Sequence, residues 1–137
     1  MFDYSDLIGV PFVDGGRDVL TGLDCWGLTV VVFKRFGISI PDYSVSCEDF
    51  ASIDDIFSIE KYRARRWLSL TEPKEPCIVA LRFNSPIFVN HTGVYIGAGK
   101  FIHTAKKTGV RVERINHPYW QHRIEGYYMP ASEVKQV

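Results

Sequence analysis

Three residues of this chain have the types that nucleophilic hydrolysis needs. Cys25 lies in Gly22-Leu23-Asp24-Cys25-Trp26-Gly27-Leu28, and His91 and His103 lie far downstream, twelve residues apart across a Gly-rich turn. A thiol attacks as its thiolate, and it needs an imidazole that takes its proton and returns it to the leaving amine. That imidazole needs a polar neighbour to fix its tautomer and ring orientation. Cys25 is therefore read as nucleophile, His91 as base and His103 as orienter. Each also has a plainer reading. Free cysteines are among the most buried residues and mostly do no chemistry. Two histidines on a hairpin can simply face solvent, or one can sit in the core bonded to a carbonyl. A zinc site would use the same residue types, but no Cys-x-x-Cys or His-x-x-x-His spacing supports it. No metal and no other cofactor is expected.

The elements that must position these groups are legible. Cys25 to Phe36 is mostly apolar over more than one helical stripe, which predicts a largely buried helix. The run Val30-Val31-Val32 pulls toward strand. The ends argue for helix, with Asp24 as N-cap, Lys34 and Arg35 at the negative end and Gly37 as the stop. Cys25 then takes the first helical position, where free amides and the helix dipole favour the thiolate. Gly22 and Gly27 are expected to leave room for a substrate backbone. Cys47 and Cys77 lack a helix-start context and read as structural.

Asn90 to Ile96 alternates like a strand, Lys100 to Thr104 reads as a second, and Gly97-Ala98-Gly99 is a turn signal. A hairpin symmetric about Gly97 places His91 directly opposite His103 on one face, with Cβ atoms about 5 Å apart. An odd shift of register would separate them. His117 and His122 lie in a polar, aromatic segment and read as surface or packing residues.

At this point the residues resemble a family. Asp24-Cys25-Trp26-Gly27, His91-Thr92-Gly93-Val94-Tyr95-Ile96-Gly97 and Phe101-Ile102-His103 are similar, in order and in spacing, to the motifs of the NlpC/P60 cysteine peptidases. The resemblance runs from about Ile8 to about Tyr128. It implies an α+β, papain-like fold with N-terminal helices packed on an antiparallel sheet. It also implies cleavage of peptidoglycan stem peptides, usually at the amide between γ-D-glutamyl and a diamino acid. Asp24-Cys25-Trp26-Gly27-Leu28, Gly37-Ile38, Pro41-Asp42-Tyr43 and the closing Trp120 to Tyr128 stretch look like the phage-tail branch, which includes gene-transfer-agent peptidases. That branch implies a virion component with tail-tip partners, made in the bacterial cytoplasm.

Two departures from the family pattern stand out. Members commonly carry a tyrosine about a dozen residues before the cysteine, whose hydroxyl helps to hold the oxyanion; here Phe12 is the nearest counterpart. Losing one such donor can cost roughly 100- to 1000-fold in rate. Tyr4, Tyr43 or Tyr95 could substitute. Trp26 stands where many members have serine, and either walls the cleft or points into the core. Asp24, Trp26, Phe12 and Tyr95 are the residues expected to meet substrate.

Composition bounds the rest. The 137 residues suit a single domain, with 46% hydrophobic and 14% aromatic residues to fill a core. Sixteen basic and sixteen acidic residues balance, which leaves no basic stripe for nucleic acid. The first residues, Met1 to Asp6, show no basic n-region or apolar h-region, so no signal peptide is expected. The longest apolar run is too short to insert in a membrane. A wall hydrolase without an export signal fits delivery by a virion from outside. The competing readings are a tail assembly or binding module on the same fold, and a cytoplasmic amidase or acyltransferase.

Asp3 to Ile8 is expected as a short helix. The charged stretch from Cys47 to Trp67 is expected as helix or loop. Its Lys61 to Arg66 run is either a contact for a substrate carboxylate or a solvated face. Strands are expected over Ile78 to Phe83, Phe88 to Ile96, Lys100 to Thr104, Val110 to Ile115 and Gly126 to Met129. Ala131 to Val137 is expected to fray or form a short helix.

Overall fold

The computed structural model describes residues 3–133. One helix is packed on a six-stranded sheet, and the sequence explains how it gets there. Helix α1 runs Cys25–Arg35. The Asp24 side chain accepts from the Gly27 amide at 2.7 Å, so the expected cap forms. Gly37 ends the helix with a positive φ of 76°. Leu28, Val32 and Phe33 are fully buried, and this tertiary packing overrides the strand preference of the valine run.

Before α1 lie two short strands, β1 (Arg17–Asp18) and β2 (Gly22–Leu23). After it come α2 (Phe50–Ser58), a π-helical turn (Ile59–Arg63) and β3 (Trp67–Leu70). The rest is β4 (Cys77–Leu81), β5 (His91–Tyr95), β6 (Lys100–Ala105), β7 (Gly109–Arg114), α3 (Pro118–Gln121) and β8 (Ile124–Pro130). The sheet order is β3-β8-β4-β5-β6-β7, and every pair is antiparallel. The α+β, helix-on-sheet architecture expected above is the one found.

The pleat divides the sheet between two cores. Ile78, Ala80, Val94 and Ile102 face α1 and join the main core. Val79, Leu81 and Phe101 face the other way, where Trp120 of α3 covers them. On the α1 side the buried Thr29 hydroxyl donates to the Cys25 carbonyl and meets the Thr92 hydroxyl at 3.1 Å. The first turn of α1 is thereby pinned to the first residues of β5.

Several expectations are corrected. Asp3 to Ile8 forms turns, closed by the Leu7 amide on the Tyr4 carbonyl. β3 and α3 were not anticipated: β3 is only four residues long, and α3 is a single turn opened by Pro118. Gly22 and Gly27 are close-packed within the chain itself. A Cβ on Gly27 would fall on the Gly16 carbonyl oxygen, and one on Gly22 would strike the Val13 side chain. Ala131–Glu133 forms a 3-10 turn, in keeping with the short helix expected there, and residues 134–137 lie outside the described residues. Among the described residues, no helix is long and apolar enough to cross a membrane.

Candidate active site

Cys25 opens α1 and His91 opens β5, at the end of the sheet where helix and strand are pinned together. Both side chains line the same two cavities. One is apolar, about 90 Å³, walled by Trp26, Ile53, Ile56, Phe57 and Trp67. The other is a cleft of about 590 Å³ that carries Phe12, His103, Lys106, Arg111 and Glu113. The nucleophile candidate thus stands between an apolar pocket and a larger cleft that carries charged side chains.

His91 Nε2 lies 2.9 Å from His103 Nδ1, and both rings are buried. The register that achieves this differs from the expected one. Val94 pairs with Ile102 and Tyr95 with Phe101, so the hairpin is symmetric about Ala98 instead of Gly97. Gly93 consequently stands opposite His103, and His91 meets it diagonally. A shift of two residues keeps both rings on one face, so the pair survives the change. Gly93 makes the diagonal possible, since a Cβ there would sit 2.8 Å from the Ile102 carbonyl oxygen and 3.2 Å from His103 Cβ. Aromatic rings enclose the pair. Phe83 lies over His91 with centroids 5.0 Å apart, and Trp120 meets His103 edge-on at 4.8 Å.

His103 Nε2 lies 3.2 Å from Glu113 Oε2, and Arg111 Nε approaches the same oxygen at 3.3 Å. Glu113 was not anticipated from the sequence. Its β7 segment alternates as expected of a half-buried strand, but nothing local marks Glu113 out.

Electrostatics set the resting protonation. Burial pushes the Cys25 thiol up to about 11, and the Asp24 charge adds to it; the Thr92 and Trp26 donors pull the other way. The thiolate expected from the helix start is therefore not the resting form. Burial holds His91 well below its usual 6.5, with His103 adding to the effect. His103 is pushed down to about 4, by burial first and the Arg111 charge second. A neutral thiol beside two neutral imidazoles suits general-base activation during attack.

The four expected substrate contacts divide. Phe12 does reach the cleft, held there by backbone bonds of Pro11 and Val13 to Leu23, and it brings no hydroxyl. Trp26 walls the apolar cavity, donates its indole N–H to the Pro41 carbonyl at 2.9 Å and packs against Tyr43 and Trp67. It is both cleft wall and core packing. Asp24 borders the same cavity, but its oxygens are taken by Gly27, Gly15 and Arg17, which makes it a structural anchor instead of a substrate contact. Tyr95 accepts from the Gly99 amide at 2.9 Å and closes the hairpin turn, away from both cavities. Of the tyrosines that could replace the oxyanion donor, Tyr4 bonds Glu75, while Tyr43 lines the apolar cavity. The Cys25 backbone amide, at the first helical position, has no acceptor within the helix.

Three other residues differ from their first reading or refine it. Cys47 lines both cavities beside Cys25, with its amide on Asp14, so it belongs to the site wall. Lys61 is held by Tyr128 at 2.7 Å and Glu125 at 3.3 Å, which closes the option of a free carboxylate contact. His117 caps α3, in keeping with a packing role.

A cysteine at a helix start, beside a buried histidine pair on an antiparallel sheet, is an arrangement suited to a cysteine hydrolase. The family model described as NlpC/P60 matches residues 9–129, and the chain belongs to that family. It is 28% identical over 120 residues to the γ-DL-glutamyl hydrolase of Bacillus subtilis strain 168, covering 87% of this chain and 26% of that protein. It is 27% identical over 124 residues to the murein DD-endopeptidase MepS/murein LD-carboxypeptidase of Escherichia coli K12, covering 90% and 57%. Among solved structures, an NLP/P60 family protein of Staphylococcus aureus Mu50 superposes with a TM-score of 0.60 at 22% identity, covering 94% of this chain and 42% of that one. The chain thus spans about a quarter of the first of these curated relatives and somewhat over half of the second.

Proposed function

We propose that this protein is a cysteine endopeptidase acting on peptidoglycan stem peptides. The observation that carries the reading is the His91 Nε2–His103 Nδ1 contact beside Cys25, which leaves His91 Nδ1 as the ring nitrogen available to the thiol. Cys25 Sγ attacks the amide carbonyl carbon as its proton passes to His91 Nδ1. The Cys25 amide faces the developing oxyanion. His91 then protonates the leaving amine, which departs and leaves a thioester. Water, deprotonated by His91, hydrolyses the thioester and restores the thiol. The γ-D-glutamyl–diamino acid bond is the proposed target; the printed name γ-DL-glutamyl hydrolase supports that bond, and murein DD-endopeptidase supports only the wider class of peptidoglycan peptides.

The finer proposal is a phage or prophage tail component that meets the wall from outside. Its support is the likeness of Asp24 to Leu28, Pro41 to Tyr43 and Trp120 to Tyr128 to the tail branch. A second reading, a tail assembly module that docks through the cleft, is favoured by one observation: Phe12 stands in the cleft where a donor hydroxyl would be.

Digestion of purified peptidoglycan with the wild type and Cys25→Ala, products read by mass spectrometry, tests the proposal. Stem-peptide fragments from the wild type alone support it and identify the bond. No fragments from a folded wild type favour the docking module. Equal products from both proteins would remove Cys25 from the mechanism.

A further inference from the structure

The histidine pair can hold its protons in two ways, and only one leaves a base for Cys25. With protons on Nε2 of both rings, His91 donates to His103 Nδ1 and keeps a lone pair on its own Nδ1. With protons on Nδ1 of both rings, His103 donates to His91 Nε2. His91 Nδ1 then carries a hydrogen where a base is needed. The His91–His103 contact is compatible with either arrangement. Something beyond the pair must choose.

Glu113 is placed to do so. His103 pairs directly with Arg111 across β6 and β7, and Phe101 pairs with Glu113. Glu113 therefore shares the sheet face of His103 and meets it diagonally, as His91 does from the other side. His91, His103 and Glu113 form one line across three neighbouring strands. Glu113 Oε2 lies 3.2 Å from His103 Nε2, and the carboxylate side chain is 17% exposed. An ionised carboxylate accepts and cannot donate. Arg111 lies 3.3 Å from the same oxygen as an ion-pair partner of the carboxylate.

We propose that Glu113 is a positioning residue: by accepting from His103 Nε2–H it fixes the Nε2–H tautomer of both histidines and leaves His91 Nδ1 as the free base. The catalytic consequence rests on the cysteine-hydrolase reading; the tautomer assignment does not. Glu113 acts on the thiol's base through His103.

The test is a long-range ¹H–¹⁵N correlation spectrum of the histidine-labelled, full-length protein near neutral pH, taken for the wild type, Glu113→Gln, Glu113→Ala and Glu113→Leu. The wild type is expected to show both rings protonated at Nε2. Glu113→Gln retains an acceptor oxygen and keeps that pattern. Glu113→Ala and Glu113→Leu release His103 into a mixture of tautomers, and kcat on a stem peptide falls at least about tenfold with KM little changed. Glu113→Leu fills the space without an acceptor, so the comparison stands if the alanine variant is poorly folded. A wild-type His103 protonated at Nδ1 overturns the proposal, as does an unchanged tautomer pattern in folded Glu113→Leu. A wild type with the expected tautomers and no hydrolysis instead counts against the peptidase reading alone.

Discussion

His91 and His103 are in contact although the sheet does not pair them. Their rings meet at 2.9 Å across a diagonal, over Gly93, whose missing side chain leaves the space the diagonal needs. The third residue of the His91-x-Gly93 motif is thus tied to the geometry of its first.

Gly93→Ala should separate the pair. The new Cβ would press on the Ile102 carbonyl and on His103. Overpacking of this kind costs about 1–3 kcal/mol. The denaturant midpoint should fall accordingly, and hydrolysis should fall further than the stability loss explains. Full activity at a lowered midpoint would show that the diagonal contact is dispensable.

The resting thiol should be a sluggish nucleophile toward small reagents. Burial and Asp24 hold Cys25 up to about 11. Iodoacetamide labelling of the Cys25 peptide, followed by mass spectrometry, should therefore keep rising with pH above neutrality. Peptide-level reading is needed because Cys47 and Cys77 are also pushed up by burial. A labelling rate already level below neutral pH would mean that a thiolate–imidazolium pair forms before substrate arrives.

Stability should depend on pH through the buried imidazoles. His91 lies well below 6.5, and His103 is held at about 4. Between about 4 and 6.5 the unfolded chain binds more protons than the folded one, so stability rises with pH across that window. The contribution is fully present above it and is lost as pH falls through it. Asp6, Asp14 and Asp42 are held low by Arg35, by the Cys47 amide and by Arg17, and they add a slope of the same sign at lower pH, below about 4. Urea midpoints of the wild type and of a His91→Gln, His103→Gln double variant separate the two sources. The double variant should show the shallower dependence, and parallel curves would rule out the histidine share.

Asp24→Ala should destabilise the fold before it touches chemistry. The carboxylate caps α1, holds the Gly15 amide and pairs with Arg17 at 2.6 Å. Losing the cap alone costs about 0.5–2 kcal/mol. The other two contacts add to that, so the thermal midpoint should drop clearly. Asp24→Asn, which keeps an acceptor for the amides, should recover part of the loss. No recovery would assign the effect to the Arg17 pair.

What could be read from the chain alone followed local signals. Helix α1 was legible because Asp24, Lys34, Arg35 and Gly37 mark its ends. The hairpin was legible because Gly97 and Gly99 punctuate two alternating runs. Contacts that depend on register were not. The shift from Gly97 to Ala98 leaves no trace in composition, and Glu113 matters only because β7 places it diagonally from His103. Cys47 looked structural because its neighbours are polar, yet Asp14 draws it to the cavity wall. Tyr95 was expected to meet substrate. Its hydroxyl is engaged by the turn it helps to build.

Among the described residues, the stretch before α1 holds two strands of two residues each, yet it builds much of the cleft. Phe12 lines it, and Gly16 backs against Gly27. Asp14 holds Ser46 and Cys47, and Arg17 holds Asp42 and the Tyr43 carbonyl. Gly9 and Val10 are laced to Val110 on the edge strand β7. A protein trimmed from its amino end past Asp14 would retain Cys25, His91, His103 and all six strands of the main sheet. It would lose one wall of its cleft and the anchors of the other. For expression or fusion, the safe amino-terminal boundary lies upstream of Leu7, whose fully buried side chain fastens this stretch to the core.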